Sequence, residues 1–165
     1  GTGIIATGIK KGMATQDSIE DAINSMASLN KYSAQELRGY NVNAVTDVTG
    51  FGLLGHLKEM CENSDVSSKI NFQDLLFLDG VKELAMSGVM PGGTKRNLKS
   101  VEGVVSFSEQ ISEVEQLLSA DAQTSGGLLI SMPMEDAKSY VKKVNGQTAI
   151  IGQITEKKPY LIKVD

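Results

Sequence analysis

The sequence predicts an α+β domain built on a mixed β-sheet with helices packed against it. Short apolar runs of strand length alternate with segments whose apolar residues recur at helical spacing, so strands and helices are interspersed. The last two apolar runs, 148–154 and 160–164, are joined through Glu156-Lys157-Lys158-Pro159. That connection is too short for a parallel crossover and predicts an antiparallel hairpin. Tryptophan is absent and aromatics are 5%, so the core must rest on Ile, Leu, Val, Met and Ala.

The opening Gly1-Thr2-Gly3-Ile4-Ile5-Ala6-Thr7-Gly8-Ile9 reads as a strand and lacks an initiator Met, as expected of a piece of a longer protein. Asp17-Ser18-Ile19-Glu20 has the form of a capping box, followed by an amphipathic helix with Ile19, Ala22, Ile23, Met26 and Leu29 on one face. Ser33-Ala34-Gln35-Glu36 is a second box, starting a short helix that Gly39 ends. A strand over 42–46, a glycine-rich turn and a helix over 53–62 follow, then a brief strand at 69–71. A helical segment at 72–77 precedes a helix over 80–87 that Gly88 stops. Residues 90–100 read as a loop and 103–107 as a strand, with Ser108 capping a helix that carries Ile111, Val114, Leu117 and Leu118. A loop over 120–126 leads to a strand over 127–132. Pro133 then opens a helix bearing Ala137, Tyr140, Val141 and Val144.

At 165 residues, without repeats or linkers, the chain is expected to be a single domain, 1–165. A net charge of −4 and the absence of a long cationic run argue against nucleic acid as a partner. No apolar run approaches the roughly 20 residues of a membrane span, and nothing resembles a signal peptide, so cytoplasmic residence is expected. The lone Cys61 excludes an intramolecular disulfide and reads as a small buried hydrophobe. His56, the single histidine, has no partner for a zinc site and reads as helix packing or as the cap of a neighbouring loop.

Three glycine-bearing loops are the candidate chemistry. The first, Thr46-Asp47-Val48-Thr49-Gly50-Phe51-Gly52-Leu53-Leu54-Gly55-His56, contains G-x-G-x-x-G between a strand and a helix, a turn that brings N–H groups near a phosphate. Asp74 stands at the fingerprint distance beyond it, yet the segment around Asp74 lacks strand character. Asp47 would repel a bare pyrophosphate but not one that carries Mg²⁺. By local chemistry Asp47 is either a Mg²⁺ ligand acting with other groups or a support for the turn. The second loop, Met90-Pro91-Gly92-Gly93-Thr94-Lys95-Arg96-Asn97, sets two cations beside a Pro-Gly-Gly turn, suited to phosphate or simply solvated. The third, Asp121-Ala122-Gln123-Thr124-Ser125-Gly126-Gly127, either offers donors to an anion or is a tight loop held by local turns.

Taken together, these three loops resemble the selenophosphate synthetase (selenide, water dikinase) family, within the aminoimidazole-ribonucleotide-synthetase-like superfamily. The likeness runs over essentially the whole chain, and the opening Gly1-Thr2-Gly3-Ile4-Ile5 resembles the start of that family's C-terminal domain. It departs at Ala122, where the family usually has Pro. The resemblance implies an α+β, partly ferredoxin-like C-terminal domain of a two-domain enzyme that makes selenophosphate, AMP and orthophosphate from selenide, ATP and water. It implies that an N-terminal ATP-binding domain, carrying the catalytic Cys or selenocysteine, an essential Lys and the homodimer interface, lies outside this chain. Nothing here matches those residues, so this piece alone is expected to be inactive, with no catalytic residue of its own. The resemblance places a Mg²⁺ ligand on Asp47 and contacts to ATP on Thr49, Gly50, Gly93, Thr94 and Arg96. Mg²⁺ and ATP would both be shared with the N-terminal domain. Sister enzymes of the superfamily and a non-catalytic binding module are the alternatives.

Overall fold

The computed structural model describes residues 1–144 and 148–165. Its elements, in chain order, are α1 (Thr2–Lys10), α2 (Gln16–Ala27), α3 (Lys31–Glu36), β1 (Ala44–Asp47), α4 (Gly52–Asn63) and β2 (Ser67–Ile70). They continue with α5 (Val81–Met86), α6 (Gly92–Ser100), β3 (Val105–Phe107), α7 (Glu113–Ser119), β4 (Leu128–Ser131), α8 (Met134–Lys143), β5 (Gly152–Thr155) and β6 (Ile162–Val164). β1 and β4 form an antiparallel pair, and a mixed four-stranded sheet runs β3-β6-β2-β5. Helices pack on these sheets, so the α+β expectation holds. α4 lies against β1, β2 and β6 and also meets α6 and α7.

Several local expectations are corrected. The opening segment is a helix. Ile4 and Ile5 are fully buried, and with Gly8 they form one helical face against the rest of the core. Burying each isoleucine contributes about 1.5–3 kcal/mol, more than the weak helix propensity of Gly, Thr and Ile costs. Gly8 brings α1 close to α5: a Cβ there would stand 3.1 Å from Leu84 Cδ1. Residues 92–100 are also helical rather than loop. Pro91 takes the N-cap position with ψ 145°, and Thr94, Leu98 and Val101 recur at i, i+4 and i+7 toward the interior.

The caps differ too. Thr15 caps α2 by accepting from Ser18 N at 3.2 Å, and Ile23 and Leu29 point outward rather than to the core. α3 starts after Asn30, ahead of the Ser33 box. α7 is capped by Ser112 and Glu115 in a reciprocal box, not by Ser108.

The terminal hairpin does not form. β2 lies between its two arms, antiparallel to β5 and parallel to β6. Two inter-strand spacings span about 10 Å, a distance the connecting residues 156–161 cross easily. Ser67 fastens that connection over the end of β2: its hydroxyl donates to Tyr160 O at 2.7 Å and accepts from Lys158 N at 2.9 Å.

Candidate functional site

Asp47 closes β1 opposite Leu128, the first residue of β4, so the turn after β1 and the loop before β4 emerge together. They interlock through backbone. Val48 N donates to Gly127 O at 2.9 Å and Gln123 N to Thr49 O at 3.1 Å. At Gly126 a Cβ would fall 2.0 Å from Val48 O, so only glycine fits. Gly52 has φ +69°, and a Cβ there would lie 2.7 Å from Ala120 O.

α6 joins this end through two side chains. Asn97 Nδ2 donates to Gly50 O at 2.8 Å and to Ala120 O at 3.2 Å, holding turn and loop at once. Thr94 Oγ1 donates to Asp121 Oδ1 at 2.6 Å, with both residues buried. The other Asp121 oxygen accepts from Ile4 N at 3.3 Å and from Gln123 Nε2 at 3.2 Å. Ile4 N is one of the unsatisfied first-turn donors of α1, so Asp121 caps that helix from a distance. Gln123 Oε1 accepts from Thr2 N, and Thr2 Oγ1 in turn accepts from Thr124 N at 2.9 Å. The third loop is thus a buttress, tied to α1, α6 and the first turn.

On this scaffold Asp47 is exposed, and its carboxylate has no partner among the described residues. Thr49 is half-buried, and its hydroxyl lies 3.2 Å from His56 Nε2. His56 Nδ1 lies 3.4 Å from Glu59 Oε2 on the next turn of α4, and the Phe51 ring packs at 5.7 Å. His56 therefore does cap a neighbouring loop, as one of its two sequence readings has it. Gly50 is exposed, Gly93 half-buried and Arg96 exposed, whereas the Thr94 side chain is fully buried. The Arg96 guanidinium folds back over its own first turn: a Cβ at Gly92 would lie 3.3 Å from Nη1. The N–H groups of Gly92, Gly93 and Thr94 find no acceptor among the described residues, and no acid occupies that turn. A cation set on the positive end of a helix favours an anion there.

Two sequence features resolve as packing. Of the fingerprint glycines, Gly52 abuts the 120–121 backbone and Gly55 the Phe51 side chain, so neither cradles a pyrophosphate, and Asp74 bonds Asn71 instead. Cys61 is fully buried, and burial pushes its thiol pKa up. Among the described residues no three His, Cys, Asp or Glu side chains converge as a metal cluster. The bracing roles of Asn97, Asp121 and Gln123 were missed by sequence reasoning. Their only signal was that each is a polar residue beside a Gly-rich loop.

This α+β scaffold, with its loops gathered at the end of β1, belongs to the family "AIR synthase related protein, C-terminal domain", which residues 8–164 match. The chain is 40% identical over 158 residues to selenide, water dikinase of Aliarcobacter butzleri (strain RM4018), covering 93% of this chain and 46% of that protein. It is 42% identical over 161 residues to selenide, water dikinase 2 of Peptoclostridium acidaminophilum, covering 95% and 46%. The chain thus spans about half the length of the curated relatives it matches, and the resemblance read from the three loops is borne out. Among solved structures, thiamine monophosphate kinase from Aquifex aeolicus superposes with TM-score 0.57 at 14% identity, over 99% of this chain and 46% of that one. AaThiL complexed with AMPPCP and TMP gives TM-score 0.57 as well, at 14% identity, over 99% and 44%. At that identity the likeness is one of fold.

Proposed function

We propose that residues 1–165 are the C-terminal domain of a selenide, water dikinase and build one face of a Mg²⁺–ATP site completed by an N-terminal ATP-binding domain. The whole enzyme would convert selenide, ATP and water to selenophosphate, AMP and orthophosphate, as a homodimer in the cytoplasm. Selenophosphate would supply selenium for selenocysteine and selenium-modified tRNA. The observation that carries the reading is the setting of Asp47: an exposed carboxylate, without a partner among the described residues, where the 48–52 turn, the 120–127 loop and α6 are tied together.

The donor set fits Mg²⁺, which takes one or two protein carboxylates and fills its shell with water and phosphate oxygens. Asp47 supplies one such carboxylate, and the absence of a wider acidic cluster among the described residues suits a shared ion. When bound, Mg²⁺ would neutralise phosphate charge. Arg96 would meet phosphate oxygens with its guanidinium, and Gly93 would offer its N–H from the first turn of α6. Thr94 would act through its N–H, because its hydroxyl is committed to Asp121. Gly50 would likewise offer N–H, its carbonyl being held by Asn97.

The test is selenide-dependent AMP formation by the full-length protein. The wild type should form AMP only with selenide, and Asp47→Asn should abolish Mg²⁺-dependent turnover while leaving the fold intact. Wild-type turnover in that variant would remove Asp47 as a ligand, and selenide-independent behaviour of the wild type would remove the dikinase reading.

A further inference from the structure

Glu59, His56 and Thr49 form a chain of three polar side chains leading from the solvent face of α4 into the turn that follows Asp47. Glu59 Oε2 stands 3.4 Å from His56 Nδ1, and His56 Nε2 stands 3.2 Å from Thr49 Oγ1. His56 is 9% exposed, wedged against Phe51, while the Glu59 side chain is 56% exposed. Glu59 is three residues after His56, within one turn of the same helix, so the helix itself sets their spacing.

A neutral imidazole carries one proton, and the partner of one nitrogen decides what the other can do. The Glu59 carboxylate lies beside Nδ1 without meeting hydrogen-bond geometry, and its negative charge favours the form with hydrogen on Nδ1. Nε2 is then an acceptor, and the sole hydrogen of the Thr49 hydroxyl is drawn to it. We propose that Glu59 and His56 together are positioning residues that fix Thr49 as an acceptor only, two residues beyond Asp47. Thr49 then offers oxygen lone pairs, suited to a hard divalent cation or a water bound to it, and has no hydrogen to give a phosphate oxygen. The opposite tautomer would reverse this: Nε2–H would donate to Oγ1 and release the Thr49 proton for phosphate. The inference rests on the Mg²⁺–ATP reading of this turn.

The test uses the fact that His56 is the only histidine in the chain. Nitrogen-15 NMR of the tag-free chain, at a pH well above the ordinary imidazole value of about 6.5, reads the tautomer of one ring. The Nδ1–H form should predominate, and Glu59→Ala, a change at an exposed position, should shift the ring toward a mixture. In the full-length protein, Glu59→Ala should raise KM for Mg²⁺–ATP by about 5–10-fold and change kcat less than about twofold, the pattern of lost positioning. Thr49→Val should do the same, and Thr49→Ser should restore the wild-type value. An Nε2–H ring in the wild type, or a tautomer unmoved by Glu59→Ala, overturns the proposal. If Asp47→Asn abolishes turnover while Glu59→Ala leaves KM unchanged, the positioning role fails and the metal reading stands. If Asp47→Asn has no effect, the metal reading itself fails, and with it the consequence drawn for Thr49.

Discussion

The Thr94 hydroxyl donates to Asp121 at 2.6 Å in a place sealed from water, and this contact couples α6 to the loop that caps α1. Thr94→Val keeps the side-chain shape and removes the donor. Asp121 then lacks one partner for a buried charge, so the variant should lose about 1–3 kcal/mol of stability. Urea denaturation measures this. A midpoint equal to wild type would show that the pair does not brace the site.

Gly52 and Gly50 should differ sharply, although both belong to the same glycine pattern. Gly52→Ala forces a Cβ at φ +69° against the Ala120 carbonyl and should cost about 1–3 kcal/mol or more. At Gly50 a Cβ meets nothing within 4 Å, so Gly50→Ala should leave the thermal midpoint nearly unchanged. Thermal melts of the two variants, run side by side, provide the comparison.

The Ser108 hydroxyl is buried without a hydrogen-bond partner, the one such side-chain atom among the described residues. A buried unsatisfied polar group is destabilising, so Ser108→Ala should be neutral or stabilising by about 1 kcal/mol. Clear destabilisation in a denaturation curve would show that the hydroxyl has a partner in solution.

Asp165 accepts from Lys69 Nζ at 2.7 Å and from Lys163 Nζ at 3.0 Å, and these two ammonium groups hold its carboxyl below the ordinary carboxylate pKa. A depressed folded-state pKa contributes stability that is present above the unfolded value and lost as pH falls through the folded one. Lys69→Met should therefore lower stability near neutral pH and converge on the wild type in strong acid. Because the pair is solvent-exposed, raising the salt concentration should shrink the difference. A gap that persists unchanged at low pH would assign the effect to the lysine's packing instead of its charge.

How much was legible from sequence follows the range of the forces involved. The β1–turn–α4 unit was readable because its apolar runs and glycines lie within about 20 residues of one another, and the order of the three loops sufficed to identify the family. α1 was not readable, because its stability comes from burying Ile4 and Ile5 in the tertiary core and from the Asp121 cap, 117 residues away from Ile4, while its local composition favours extended chain. α6 was hidden by Pro91-Gly92-Gly93, which reads as a turn but serves as a helix start once Thr94 is buried. At the site, Asp47 stood out as an acid where none was wanted. The bracing by Asn97 did not, because an amide reaching two carbonyls in separate loops leaves no local pattern. The terminal strands were recognised, but their separation by β2 depends on a segment some 85 residues earlier.

The placement of β6 has a consequence for synthesis. β6 is an interior strand, flanked by β3 on one side and β2 on the other. Residues 67–70 and 105–107 leave the ribosome long before residues 162–164, yet they cannot pair through β6 until it emerges. The two central pairings of the four-stranded sheet, β2–β6 and β3–β6, must then close late, the former bridging the widest sequence separation in the sheet. Until then the inner edges of β2 and β3 are open templates for strands of other chains. This sheet is therefore most exposed to misassociation just before β6 is made.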